Sequence, residues 1–117
     1  MWTYTSYILF KLFEKKTETR QLTFEEVADF VFKVLWRKEK LAFHEDRNDL
    51  LGDLQYLKKM GIITLQKTNG KIIIQIKDKK RLKEAVEIVE KAGTLTGVKL
   101  LDTYVERIDR AIEQLAK

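Results

Sequence analysis

Between His44 and Ile76 the pattern of apolar and polar positions changes period once, dividing the stretch into a helix and a hairpin. Leu50, Leu54, Leu57 and Met60 recur at the spacings of three and four that line one side of an α-helix, and Gly61 supplies a left-handed stop. Two runs rich in β-branched residues follow, Ile62 to Gln66 and Ile72 to Ile76. Between them, Asn69-Gly70 suits a type I′ turn, in which both central residues need positive φ. Counting outward from that turn sets Thr68 opposite Lys71, Leu65 opposite Ile74 and Ile63 opposite Ile76. In this register Ile63, Leu65, Ile72, Ile74 and Ile76 share one face, and Thr64, Gln66, Ile73 and Gln75 the other.

The flanking segments read as helices. Trp2 to Lys16 is apolar nearly all round, the mark of a helix buried on several sides, and Thr17 to Gln21 is a polar connector. Thr23 and Glu26 have the spacing of a capping box opening a second helix, whose main stripe is Phe24, Val27, Ala28, Val31 and Leu35. At 100° per residue, Phe32 and Trp36 fall on one flank of that stripe and Phe30 and Val34 on the other, an apolar arc of about two thirds of the circumference. Arg37 to Lys40 ends this helix, and Leu41 to Phe43 leads to the next. Beyond the hairpin, Asp78 is a cap for a helix over Lys79 to Ala92 that Gly93 closes, with Leu82, Ala85, Val86, Val89 and Ala92 inward. A last helix begins near Thr94 or Thr96. The expectation is one mostly helical α+β domain over residues 1–117: a helical core plus hairpin over 1–77, and C-terminal helices over 78–117.

In the last helix Val98, Leu101, Val105, Ile108, Ile112 and Leu115 form an a/d seam. The seam packs either within the chain or against a second copy. Asp102 and Asp109 at e positions face no cation at Tyr104 or Ala111, so pairing would be antiparallel or four-helical. Homodimerisation through Phe32, Trp36 and the six seam residues is the expectation.

A helix ending in L-x-x-L-x-x-x-G-I-I and feeding an Asn-Gly hairpin resembles the winged helix-turn-helix family, on Leu54, Leu57, Gly61, Ile62, Ile63 and the Asn69-Gly70 tip. The likeness covers about 33 residues and implies a helix that enters the DNA major groove and a two-stranded wing that lies along the backbone. Opposite the leucine stripe the helix carries Asn48, Gly52, Gln55 and Lys59, with Arg47 and Lys58 at one edge and Asp49 and Asp53 at the other. Asn and Gln make paired hydrogen bonds to adenine, while Arg and Lys contact guanine or phosphate. A mid-helix glycine costs about 1 kcal/mol relative to alanine, which points to a steric reason for Gly52. The expected DNA-contacting set is Arg47, Asn48, Gln55, Lys58, Lys59, Lys67, Asn69 and Lys71, in a transcriptional regulator that binds duplex DNA. The alternative is a winged helix that docks proteins in a transcription or replication assembly.

Charge qualifies this reading. The net charge of +5 is mild, but residues 61–80 hold five lysines against Asp78 alone, whereas residues 41–60 hold Arg47, Lys58 and Lys59 against four acids. The positive charge therefore sits on the hairpin side, where lysines also serve to blunt a sheet edge. A charged fraction of 35% rich in Lys and Glu resembles a thermophile composition, although a chain without proline is unusual for one. The sequence has no Cys, which removes disulfides, thiolate catalysis and Cys-based zinc sites. It shows neither a signal-peptide pattern nor an apolar run of about 18 residues, so a cytoplasmic protein without membrane contact is expected. His44 is the single histidine, and with Glu45 and Asp46 it forms no metal set by itself. It reads as a polar residue near a helix start, Glu25-Glu26 as capping, and the isolated glycines cradle no phosphate. No enzyme activity and no cofactor are expected, and nothing marks an effector site.

Overall fold

The structure is a computed structural model that describes residues 2–15, 21–96 and 99–115, with only the backbone described over 92–96 and 99–103. It is a mostly helical α+β fold with a small antiparallel sheet. Helix α1 spans Trp2–Lys15, strand β1 Gln21–Thr23, and helix α2 Phe24–Asp29, continuing as a π-helical segment over Phe30–Lys38. Then come α3 (Arg47–Lys59), β2 (Ile63–Thr68), β3 (Lys71–Ile76), α4 (Lys79–Thr96) and α5 (Lys99–Leu115).

The hairpin forms as its turn chemistry requires. Asn69 and Gly70 take φ of 52° and 77°, and Ile63 pairs with Ile76, Leu65 with Ile74 and Thr68 with Lys71. Ile63 and Ile74 are fully buried on the inner face, with Leu65, Ile72 and Ile76 partly so. A third strand completes the sheet in the order β1-β3-β2, with Leu22 opposite Ile74. Gln21, expected in a connector, begins that strand; residues 16–20 lie outside the described ones.

Thr23 caps α2 reciprocally with Glu26, as its spacing predicts. Past Asp29 the helix widens: Glu39 N donates to Val34 O five residues back, at 3.1 Å. Phe30, 2% exposed, joins Val31 and Leu35 in the core. Glu39 then anchors the segment to α5 through Arg110 at 3.2 Å and Arg107 at 3.9 Å.

Two expectations about the C-terminal helices are corrected. Helix α4 runs through Gly93 to Thr96, because an interior glycine weakens a helix by only about 1 kcal/mol and ends it only where the backbone turns left-handed. Helix α5 accordingly starts at Lys99. Leu82, Ala85, Val86 and Val89 are buried as expected, while the side chain of Ala92 lies outside the described residues.

The a/d seam is used within the chain. Ile108 is fully buried and Ile112 is 4% exposed, in one core shared with α1, α2, α3, α4 and the sheet. Asp109 accepts the Tyr7 hydroxyl at 2.5 Å and faces Lys11, so the acidic edge of the seam meets α1. Burial, and next this hydrogen bond, raises the Tyr7 phenol pKa well above its ordinary value. Val105 is partly buried against the same core; Val98 and the side chains of Leu101 and Asp102 lie outside the described residues. Of the expected dimer residues, Trp36 and Leu115 remain exposed and Phe32 half-exposed. Phe32 lines a cleft with Arg37 and Arg47, and Leu115 lines another with Leu12 and Leu22. Among the described residues no helix is long and apolar enough to cross a membrane.

Candidate nucleic-acid interface

Helix α3 is seated by Leu50, Leu54 and Leu57, each with no exposed surface. Asp46 caps its start by accepting the Asp49 amide at 2.9 Å. At its end Gly61 takes φ of 78°, and the amides of Gly61 and Ile62 return to the carbonyls of Lys58 and Leu57, both at 3.0 Å. Both termini are thus fixed, and the side away from the leucines is held toward solvent.

That outer side carries Asn48, Gly52, Gln55 and Lys59, all exposed. A Cβ built on Gly52 would meet nothing within 4 Å, so none of the described residues requires the glycine. Tyr56 also projects here, 46% exposed, with one edge against Trp2 at a ring separation of 5.7 Å. Sequence reasoning passed over Tyr56, though an aromatic residue off the leucine stripe was the available signal. Its phenol adds a hydrogen-bonding group beside Gln55 and Lys59.

Arg47 sits differently from its expected role. It is ion-paired with Glu25 and stands 5.0 Å over the Phe24 ring, so it ties the start of α3 to α2. Asn48 next to it lines a cleft of about 560 Å³ with Phe32 and Arg37. Lys58 is exposed at the edge of α3.

The acidic edge is half neutralised. Thr5 Oγ1 donates to Asp53 Oδ2 at 2.8 Å, and His44 Nε2 lies 2.8 Å from the same oxygen and 2.9 Å from Thr5 Oγ1. Burial acts to raise the Asp53 pKa, but the hydrogen bonds from His44 and Thr5 outweigh it and hold the carboxyl below its ordinary value. Asp53 is therefore turned inward and committed, leaving Asp49 as the acid that faces out. His44 is 2% exposed and Thr5 fully buried, so the polar residue near the start of α3 is a core histidine. The arrangement joins α1, the loop before α3 and α3 itself. It is no catalytic relay: one imidazole nitrogen faces both partners, Nδ1 has none, and no substrate reaches the buried hydroxyl. Among the described residues no group of three potential ligands converges on a metal position.

The hairpin lysines are exposed, but they point to opposite faces. Lys67 pairs with Ile72 and Lys71 with Thr68, and adjacent pairs alternate across the sheet. Asn69 is committed to the turn by its left-handed φ. The run of lysines read from the sequence as one patch is divided between the hairpin tip, with Lys67 and Lys71, and its base, with Lys77, Lys79 and Lys80. No protein-family model, curated protein or solved structure matches the chain.

Proposed function

We propose that the chain is a winged helix-turn-helix protein that binds duplex DNA, with α3 in the major groove, the hairpin as the wing, and transcriptional regulation as its role. The observation that carries this reading is the outer side of α3. Amide and ammonium groups of Asn48, Gln55 and Lys59 flank a glycine that the fold itself does not use. A glycine retained at a cost to the helix suits a backbone that an external surface approaches closely. The inward turn of Asp53 supports it further, by removing one of two acids that would oppose phosphate. Asn48 and Gln55 read base edges, Lys59 contacts a base or phosphate, and the wing grips the backbone.

The test is gel-shift titration of the full chain against duplex DNA over a range of salt. Binding should weaken steeply with salt, and Gln55→Ala should change sequence preference more than affinity. Because Lys67 and Lys71 face opposite ways, Lys67→Ala and Lys71→Ala should weaken binding unequally, one of them by about tenfold at low salt. No shift of any duplex at low salt would reject the proposal.

A second reading, a winged helix that docks another protein or its own copy, draws on the Phe32 and Trp36 rings, 5.9 Å apart with Trp36 39% exposed. Sedimentation separates the two: a dimer lost on Trp36→Ala supports self-association there.

A further inference from the structure

We infer that the junction of the α3 C-terminus, the hairpin base and the first turns of α4 is a second contact for the phosphate backbone of duplex DNA, an inference that rests on the DNA-binding reading above. Three elements close on one another there. The Ile62 carbonyl accepts from the amides of Lys77 at 2.9 Å and Asp78 at 3.1 Å, and Arg81 Nη1 donates to the Met60 carbonyl at 2.6 Å. The chain at the end of α3 and the start of β2 thus meets the chain at the hairpin base and the start of α4, and Lys58, Lys59, Lys77, Lys79 and Lys80, all exposed, lie on these segments. The acid among them is Asp78, and it is already engaged: its carboxylate accepts the Arg81 amide at 3.1 Å and stands 3.7 Å from the Arg81 guanidinium.

Folding accounts for part of this charge. Lys58 and Lys59 lie in the last turn of α3, where cations suit the negative end of the helix dipole. Lys79, Lys80 and Lys83 have no such reason. They occupy the first turns of α4, no acid precedes them in its first turn, and Glu84, Glu87 and Glu90 follow farther along. Lys79 and Lys83 are four residues apart, a like-charge spacing that weakens a helix, while Lys80–Glu84 and Lys83–Glu87 have the same spacing with opposite charge, which supports it. With respect to the helix dipole the order of charge along α4 is thus unfavourable, and an anionic surface laid across the junction offsets that penalty.

Among anionic partners, duplex DNA is favoured by continuity. Lys59 belongs both to the outer side of α3 and to this cluster, so a backbone strand bordering the groove that holds α3 passes over the junction. The contact is distinct from the wing tip, which a six-residue strand carries about 17 Å away at ~3.3 Å per residue.

The experiment is anisotropy titration of the full chain with a labelled duplex of about 30 base pairs at several salt concentrations. In Lys79→Ala/Lys80→Ala/Lys83→Ala the slope of log affinity against log salt should shrink by about 2 to 3, close to one for each phosphate no longer neutralised. Thermal stability should stay level or rise, since the dipole favours removing these cations. The single variant Lys80→Gln should shrink the slope by about 1. An unchanged slope in both variants, with the parent protein binding normally, overturns this inference alone and leaves the cluster to an acidic protein surface. A fall in thermal stability assigns the lysines to the fold and overturns it too. Failure of the parent protein to bind duplex DNA overturns both this inference and the DNA-binding reading.

Discussion

Helices α3 and α4 are both amphipathic, both start from an aspartate cap, and they order their charges in opposite senses. In α3, Asp46 and Asp49 stand at the start and Lys58 and Lys59 in the last turn, each worth about 0.3–1 kcal/mol in the field of the helix. In α4, lysines crowd the start and glutamates follow. The contrast separates charge that the helix dipole explains from charge that it does not. A count of lysines weighs Lys58 and Lys80 equally; their places in the two dipoles do not. The same contrast extends to how each helix is held: α3 combines its leucines with the Thr5–His44–Asp53 hydrogen bonds, whereas α4 rests on an apolar face and the Arg81 bond to Met60 O.

The strongest way to break this contrast is at Asp53. Asp53→Ala removes the carboxylate that His44 and Thr5 share, and should destabilise the protein by about 1–3 kcal/mol in urea denaturation at neutral pH. The site also sets a pH dependence whose sign follows from the lowered pKa. Folded Asp53 gives up its proton more readily than the unfolded chain does, so its contribution is complete above the ordinary carboxylate value of 3.8 and is lost as pH falls through the lower, folded-state value. Asp53→Asn should flatten that part of the acid limb. An acid limb identical to the parent's would show that the hydrogen bonds do not favour the charged carboxylate.

A smaller effect is expected at the cap. Asp46→Ala frees the Asp49 amide and removes an anion from the start of α3, and should cost about 1 kcal/mol. The matching removal of Lys79, Lys80 and Lys83 from the start of α4 should cost nothing. Equal losses at the two helix starts would mean that the α4 lysines have structural partners of their own, and the contrast would collapse.

Local chemistry made much of this readable from the sequence. The hairpin register, the Gly61 stop and the caps at Thr23 and Asp78 each depend on residues within a few positions of one another, and all are present as their spacing predicts. Strand β1 was invisible because Gln21-Leu22-Thr23 has one buried residue and hence no period; it becomes a strand by pairing with β3. The π segment escaped because a helical wheel assumes 100° per residue throughout. At the site, the outer side of α3 followed from the leucine stripe alone. The burial of His44 did not, since its partners Thr5 and Asp53 stand 39 and 9 residues away and no periodicity marks a polar contact between helices. The ion pair of Arg47 was hidden for the same reason: Glu25 lies 22 residues distant.

The finest test of α3 as a reading helix is Gly52→Ala, because the two roles of the helix predict changes of opposite sign. Alanine restores helix propensity, and its methyl group enters open space within the chain, so folding stability should rise by as much as about 1 kcal/mol. If the α3 backbone lies against DNA at this point, the same methyl group stands between the two surfaces and affinity should fall by about tenfold, with the salt slope unchanged because every phosphate keeps its cation. Stability from thermal or urea unfolding and affinity from the anisotropy titration then move apart in a single variant. A rise in stability with unchanged affinity would remove Gly52 from the interface and shift the reading of α3 toward Asn48, Gln55 and Lys59. A fall in stability would mean that the glycine serves the fold after all, and that its open surroundings are not what the helix requires.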